Sequence, residues 1–269
     1  MPGSGVCYNK ARVSLPDFPP LFYPVAVFAI LLTGAAKSGF GGGAAGIAVP
    51  LMSMFIAPPE AAAIMLPILC AMDVFGVHAY RGRWSREHLA ILLPGALVGI
   101  VVGAFAFGAM SANAIRLVVG GIAVVFSLNR ALKLSERLAA RLAASREPPG
   151  RVAGAFWGAL SGFTSTLAHA GGPPFVIYML PHKPDKTTFV ATSVVFFLIV
   201  NYVKLVPYYF LGQLNVENLA TSLLFAPLAP IGVWIGVWLH RHLTEGLFYA
   251  LTNALLFASG AKLVWDALA

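Results

Sequence analysis

Charge is what this chain has least of. Asp, Glu, Lys and Arg together make up only 10% of its 269 residues, against 59% hydrophobic residues and a mean hydropathy of +0.81. A water-soluble domain carries about a quarter charged residues, so a soluble core is excluded. Cysteine is nearly absent too. Cys7 and Cys70 are too few for a disulfide framework, and neither sits in a Cys-x-x-Cys or Cys/His pattern, so no thiol chemistry, metal site or cofactor is expected. Residues 1 to 20 lack the apolar core of a signal peptide and hold Pro2, Pro16, Pro19 and Pro20 instead. They read as a polar lead-in, which leaves targeting to the first span. What the chain has in abundance is apolar runs of span length, recurring from Leu21 to Leu268. The expected class is an all-α polytopic membrane protein whose first partner is the lipid bilayer. The formal charge of +8 would suit nucleic acid, but the basic residues cluster in short loops where membrane orientation accounts for them, so no nucleic-acid partner is expected.

Apolar runs at about 60 to 80, 89 to 109, 113 to 132, 187 to 210, 217 to 239 and 246 to 267 read as six full spans. Two further pieces, about 21 to 57 and 152 to 180, contain glycine and proline breaks. As unbroken helix the first would reach roughly 55 Å at ~1.5 Å per residue, well beyond a hydrocarbon core of roughly 30 Å. Each piece must fold back as two half-helices or cross twice. Backbone freed at membrane depth is tolerated only where it lines a cavity or is buried in protein.

Loop charges set the orientation. Arg81, Arg83 and Arg86; Arg130, Lys133, Arg137, Arg141, Arg146 and Arg151; His182, Lys183 and Lys186; and His240, Arg241 and His242 fall in four connections that belong inside. Met110 to Asn113 and Gly212 to Glu217 carry no Lys or Arg and belong outside. The assignments alternate without conflict, although Lys10 and Arg12 run against an external N-terminus. The piece between Arg151 and Lys183 therefore returns to its own side.

A repeat divides the chain. At an offset of 123 positions, Ala36, Ser38, Gly39, Phe40 and Pro50 match Ala159, Ser161, Gly162, Phe163 and Pro173; at 133, Pro94, Gly99 and Gly103 match Pro227, Gly232 and Gly236. The expected organisation is a lead-in at 1–20, a first transmembrane repeat at 21–134, a basic cytoplasmic linker at 135–151 with an interfacial helix, and a second repeat at 152–269. Each repeat holds one broken or re-entrant helical pair plus three full transmembrane helices, and the two are inverted relative to each other. Paired breaks in corresponding places point to a transport site.

The residues at those breaks suit an anion. Half-helices starting near Gly43 and Gly171 would aim N–H groups and positive dipole ends inward, with Gly41, Gly42, Gly43, Gly171 and Gly172 letting a ligand approach the backbone. Ser38, Ser161, Thr164, Ser165 and Thr166 can donate hydroxyl hydrogens, and Lys37 and His169 can add charge. His169 also titrates in a range suited to proton coupling. Against this stand close helix packing for the glycines, hydroxyl bonds to backbone carbonyls, and snorkelling for Lys37. Asp73, Asn201 and Lys204 lie inside spans and are candidates for a gate or proton relay, with interhelical bonding as the alternative. Inversion places Asp73 and Lys204 toward opposite faces, so their direct pairing is not expected.

Gly39-Phe40-Gly41-Gly42-Gly43 with Pro50, Ser161-Gly162-Phe163 with Gly171-Gly172-Pro173, the triplet Ala191-Thr192-Ser193 and the half-to-half repeat together resemble the TauE/SafE sulfite exporter family over about residues 25 to 267. The resemblance implies transport of sulfite, sulfonates and related small organic anions across the bacterial inner membrane. Thr164 to Ala170 departs from the family's glycine-rich second motif and is where the substrate would be retuned. Two other classes remain open. A passive anion channel would use the same ligands, and an intramembrane serine hydrolase would need a pair such as Ser161 with His169 or His78.

Overall fold

The computed structural model describes residues 17–40, 45–144, 149–242 and 246–269. The glycines Gly41, Gly42 and Gly43 lie outside the described residues, as do Cys7, Lys10, Arg12 and Arg146. Among the described residues every regular element is helical: α1 (Phe22–Phe40), α2 (Ala48–Met52), α3 (Pro58–Ala79), α4 (Arg86–Ala109), α5 (Ala112–Ala131), α6 (Leu134–Ala144), α7 (Arg151–Ala168), α8 (Gly172–Met179), α9 (Lys186–Phe210), α10 (Val216–Phe225), α11 (Leu228–His242) and α12 (Gly246–Leu268). α1, α3, α4, α5 and α9 are each long and apolar enough to cross a bilayer. The molecule is a multi-pass helical membrane protein.

Short polar residues mark where several helices begin. Ser85, Ser111, Asp185 and Asn215 each accept a backbone N–H of the first turn of α4, α5, α9 and α10, the bonding expected of N-caps. Prolines decide where helices bend. Pro67, Pro94 and Pro207 are carried inside intact helices. The run at 217 to 239, expected as one span, is α10 and α11 meeting at 45°, which together are long and apolar enough to cross. Pro227 and Pro230 remove two N–H donors within about one turn, so the ladder cannot close across the junction.

The four basic connections meet at one end of the bundle. The rings of Tyr80 and His240 lie 5.8 Å apart, those of His88 and His182 4.4 Å apart, and α6 packs on the turn at Leu180–His182. Phe22 and Phe225 approach to 6.3 Å, and a Cβ at Gly108 would fall 2.9 Å from Leu211, so these positions share the opposite end.

The two broken pieces are not pairs of equal half-helices. α1 has 19 residues and α7 has 18, about 28 and 27 Å at ~1.5 Å per residue, while the elements that follow, α2 and α8, have only 5 and 8. The first limb nearly spans the bundle and the second is a short return. Gly39 O accepts from His240 Nδ1 at 2.8 Å and Ser38 O from Tyr80 Oη at 2.6 Å, which brings the end of α1 to the basic end. α7 and α8 run back to back: a Cβ at Gly154 would fall 2.8 Å from the Tyr178 ring, and Ser161 Oγ donates to Gly171 O at 2.6 Å.

Glycine sets the tightest helix packing. A Cβ at Gly99 of α4 would fall 1.9 Å from Ala159 O on α7, and one at Gly236 of α11 would fall 2.7 Å from Ala35 O on α1. Small residues let these backbones meet, as in many membrane helix pairs.

Candidate functional site

The breaks converge. A Cβ at Gly46, just before α2, would fall 2.8 Å from the Cβ of Ala170, in the turn between α7 and α8. A small cavity of about 30 Å³ lies along this seam, lined by Gly46, Pro50, Ala168, Ala170, Gly172 and Pro173 from the two breaks and by Arg130, Thr252 and Asn253 from α5 and α12. A second cavity of about 490 Å³ lies at the basic end. Arg130, Lys133, Lys186, Asn129 and Glu136 share its wall with apolar side chains that include Phe40 and Phe189. Phe126, Arg130 and Pro173 line both cavities and so form the neck between them. The sequence shows Arg130 only as a loop charge; the structure places it in the last turn of α5 and in the wall of both cavities. Asn253, a polar residue in an apolar run, was also passed over.

Behind the seam lie two buried polar clusters. In the first, Lys37 Nζ lies 2.7 Å from Asp73 Oδ1 and 5.5 Å from the centroid of the Phe197 ring, and Asn201 Nδ2 donates to Asp73 Oδ2 at 2.7 Å. Both carboxylate oxygens are thus engaged. Lys37 does not snorkel: it is buried beside an acid from α3, three helices of the bundle meeting through one carboxylate.

In the second cluster, Lys204 Nζ donates to Ser165 O and Ser165 Oγ, each at 3.0 Å, and lies 2.7 Å from His169 Nδ1. His169 Nε2 lies 2.9 Å from Ala62 O. A carbonyl oxygen only accepts, so Nε2 carries a hydrogen. Among the described residues no carboxylate pairs with Lys204. His169 is the C-cap of α7 at φ 52, a left-handed conformation that glycine usually supplies. Holding an imidazole there costs roughly 1 kcal/mol, which its two bonds offset. Asp73 and Lys204, as expected, do not pair directly; Asn201, one turn from Lys204 on α9, joins the first cluster instead.

The other expected ligands are committed within the fold. Thr164 and Thr166 donate to Leu160 O and Gly162 O of the preceding turn, and Ser161 donates to Gly171 O. Of the expected binding residues described here, Gly172 lines the seam cavity, while Lys37, Ser38, Ser161, Thr164, Ser165, Thr166, His169 and Gly171 line neither cavity. A Cβ at Gly171 would meet Ser161 O at 2.6 Å, so this glycine is needed for packing whether or not a ligand approaches it. Pro173 and Pro174 occupy the first turn of α8 and remove two of the N–H groups its start would otherwise offer an anion.

The sequence profile of the family described as "Sulfite exporter TauE/SafE" matches residues 26–263. The chain belongs to the TauE/SafE family. No curated protein and no solved structure matches it. Membership in TauE/SafE makes the molecule a membrane transporter by family.

Proposed function

We propose that this protein is a secondary transporter of small anions, sulfite or a sulfonate, in the bacterial inner membrane. The observation that carries the reading is the cationic vestibule that narrows at Arg130 onto the seam between Gly46 and Ala170. Its three cations outnumber its one carboxylate, so the field in the vestibule favours anions. At the seam, backbone N–H groups near Gly171 and Gly172 would hold the oxyanion, and Arg130 would supply the planar charged donor that the prolines of α8 take away.

Alternating access between two inverted repeats is the mechanism, with a proton as the coupling ion. The order of contacts supports it. α4 packs on α7 and α11 packs on α1, the arrangement obtained by exchanging the two repeats, while α3 with α9 and α5 with α12 pack as mates. The α7–α8 pair departs from the basic end and returns to it; the α1–α2 pair departs from the opposite end. Rocking one repeat against the other moves the seam between the two faces.

Uptake of sulfite, a sulfonate and a carboxylate into liposomes holding the purified protein tests the reading. Arg130→Met is expected to raise the half-saturating concentration about tenfold or more, the loss of one charge-assisted hydrogen bond. Unaltered uptake by the folded variant would remove Arg130 from the site. A steady anion current without counterflow would convert the transporter into a channel.

A further inference from the structure

When protonated, Lys204 is a fully buried ammonium for which, among the described residues, no carboxylate is left over. Its three hydrogens face three acceptors, Ser165 O, Ser165 Oγ and His169 Nδ1, all of them neutral. The charged or titratable groups around this pair are Lys37 from α1, Cys70 and Asp73 from α3, and Tyr208 from α9, whose ring stacks on His169 at 6.1 Å. Asp73 is the single acid of that set, and Lys37 and Asn201 already occupy both of its oxygens. An ammonium buried without a counter-charge is compensated in one of two ways: an anion arrives or the proton leaves. The presence of the anion and the presence of the proton are therefore linked, and linkage is reciprocal.

We propose that Lys204 and His169 together hold the one proton that travels with the anion, while Lys37 and Asp73 keep fixed charges and serve as the pair's scaffold. This rests on the anion-transport reading and deepens it. The transfer within the pair is a single step: an Nζ–H bond of Lys204 breaks as Nδ1–H of His169 forms, and the positive charge passes from amine to imidazole with the total unchanged. The imidazole keeps Nε2–H on Ala62 O throughout, so the ring stays fixed while the proton shifts over 2.7 Å. Ala170 and Ala168 flank His169 and line the seam cavity, which places the proton store one residue from where the anion would sit. A loaded carrier then holds anion and proton together, and an empty one holds neither. Occluding the proton alone would bury an unpaired cation, so the two move as symport. For a monoanion the cycle is electroneutral.

The test counts protons. Purified protein in liposomes with an internal pH dye is given an inward gradient of sulfite or of a sulfonate at alkaline pH, where sulfite is a dianion and the sulfonate a monoanion, so every proton counted is carried by the protein. One proton per anion is expected for the wild type; uptake with no proton movement overturns the proposal while leaving anion transport standing. Absence of any uptake overturns both. In Lys204→Arg the charge cannot be released, so net proton-coupled uptake should fall at least about tenfold. Net, proton-coupled uptake by Lys204→Arg would overturn the assignment. His169→Gln keeps an acceptor for Lys204 but removes the second holder of the proton, so its uptake should lose the pH dependence of the wild type. If the arginine variant does not yield stable protein, the glutamine variant and the wild-type proton count decide, and an unchanged pH profile in His169→Gln overturns the proposal.

Discussion

The two buried clusters sit on matching helices yet differ in one respect. Around Asp73 a cation meets an acid, and the acid is steadied by an amide; around Lys204 a cation meets only neutral acceptors. In the first arrangement the two charges compensate each other. The second is complete only when something else brings or removes a charge. The difference between the two clusters comes from a single carboxylate, and it is what the proposed proton coupling rests on.

Breaking that contrast gives the largest expected effect. Asp73→Asn leaves Lys37 buried without its acid and should destabilise the protein by about 3 to 5 kcal/mol, the usual result of removing one member of a buried pair. Lys204→Met should cost only about 1 to 2 kcal/mol: it strands the acceptors on Ser165 and His169 but also removes a buried charge that had no acid. Thermal unfolding in detergent compares the two. A lysine variant as unstable as the aspartate variant would mean that Lys204 is compensated after all. The double variant Lys37→Met with Asp73→Leu should recover most of the loss, since neither charge is then left alone.

These pairings were only partly legible in the sequence. Class, the gathering of the basic connections at one end and the break after α7 follow from hydropathy, loop charge and Gly/Pro runs, which act locally. The partner of Lys37 was not legible, because Asp73 lies on another helix and its depth alone did not reveal which residue it faces. Thr164, Thr166 and Ser161 looked like ligands because a hydroxyl in an apolar helix can donate to substrate or to the preceding turn with equal ease. Only the geometry shows them donating to carbonyls. Arg130 read only as a loop charge, since a charge that ends a span satisfies the orientation rule whether it faces the headgroups or a cavity. The bend at Pro227 was not expected because Pro94, which matches it at an offset of 133 positions, is tolerated inside α4.

The glycine seams sharpen the comparison at the level of packing. A Cβ at Gly99 would penetrate to 1.9 Å from Ala159 O, whereas one at Gly236 would stop 2.7 Å from Ala35 O. Both neighbours are backbone and cannot swing aside, so the helices must separate. Gly99→Ala should cost about 2 to 3 kcal/mol and Gly236→Ala nearer 1 kcal/mol, within the range for overpacked sites. Equal unfolding temperatures for the two variants would show that the α4–α7 and α1–α11 contacts are equally close.

The smallest expected effect lies at the other end of the helix that carries Lys204. Asp185 caps α9 from full exposure, accepting from the N–H groups of Thr187 and Thr188, each at 3.0 Å, and from the Thr188 hydroxyl. The Thr188 hydroxyl bond, followed by the backbone bonds, holds this carboxyl below the ordinary aspartate value of 3.8. The sign of the pH dependence follows. A depressed acid contributes stability that is fully present above its unfolded pKa and is lost as pH falls through the folded one. Wild type and Asp185→Ala should therefore differ by a constant small margin at neutral pH, and the margin should close only below pH 3.8. Amide exchange in the first turn of α9, followed across the acid range, reads this directly. A margin that closed near neutrality would place the titrating group elsewhere, with His182, three residues upstream, as the first residue to replace. Because the cap sits in water and Lys204 sits in the core, acidification in that range should loosen the start of α9 while leaving the buried cluster intact, and loss of both together would show that α9 transmits its cap to its charge.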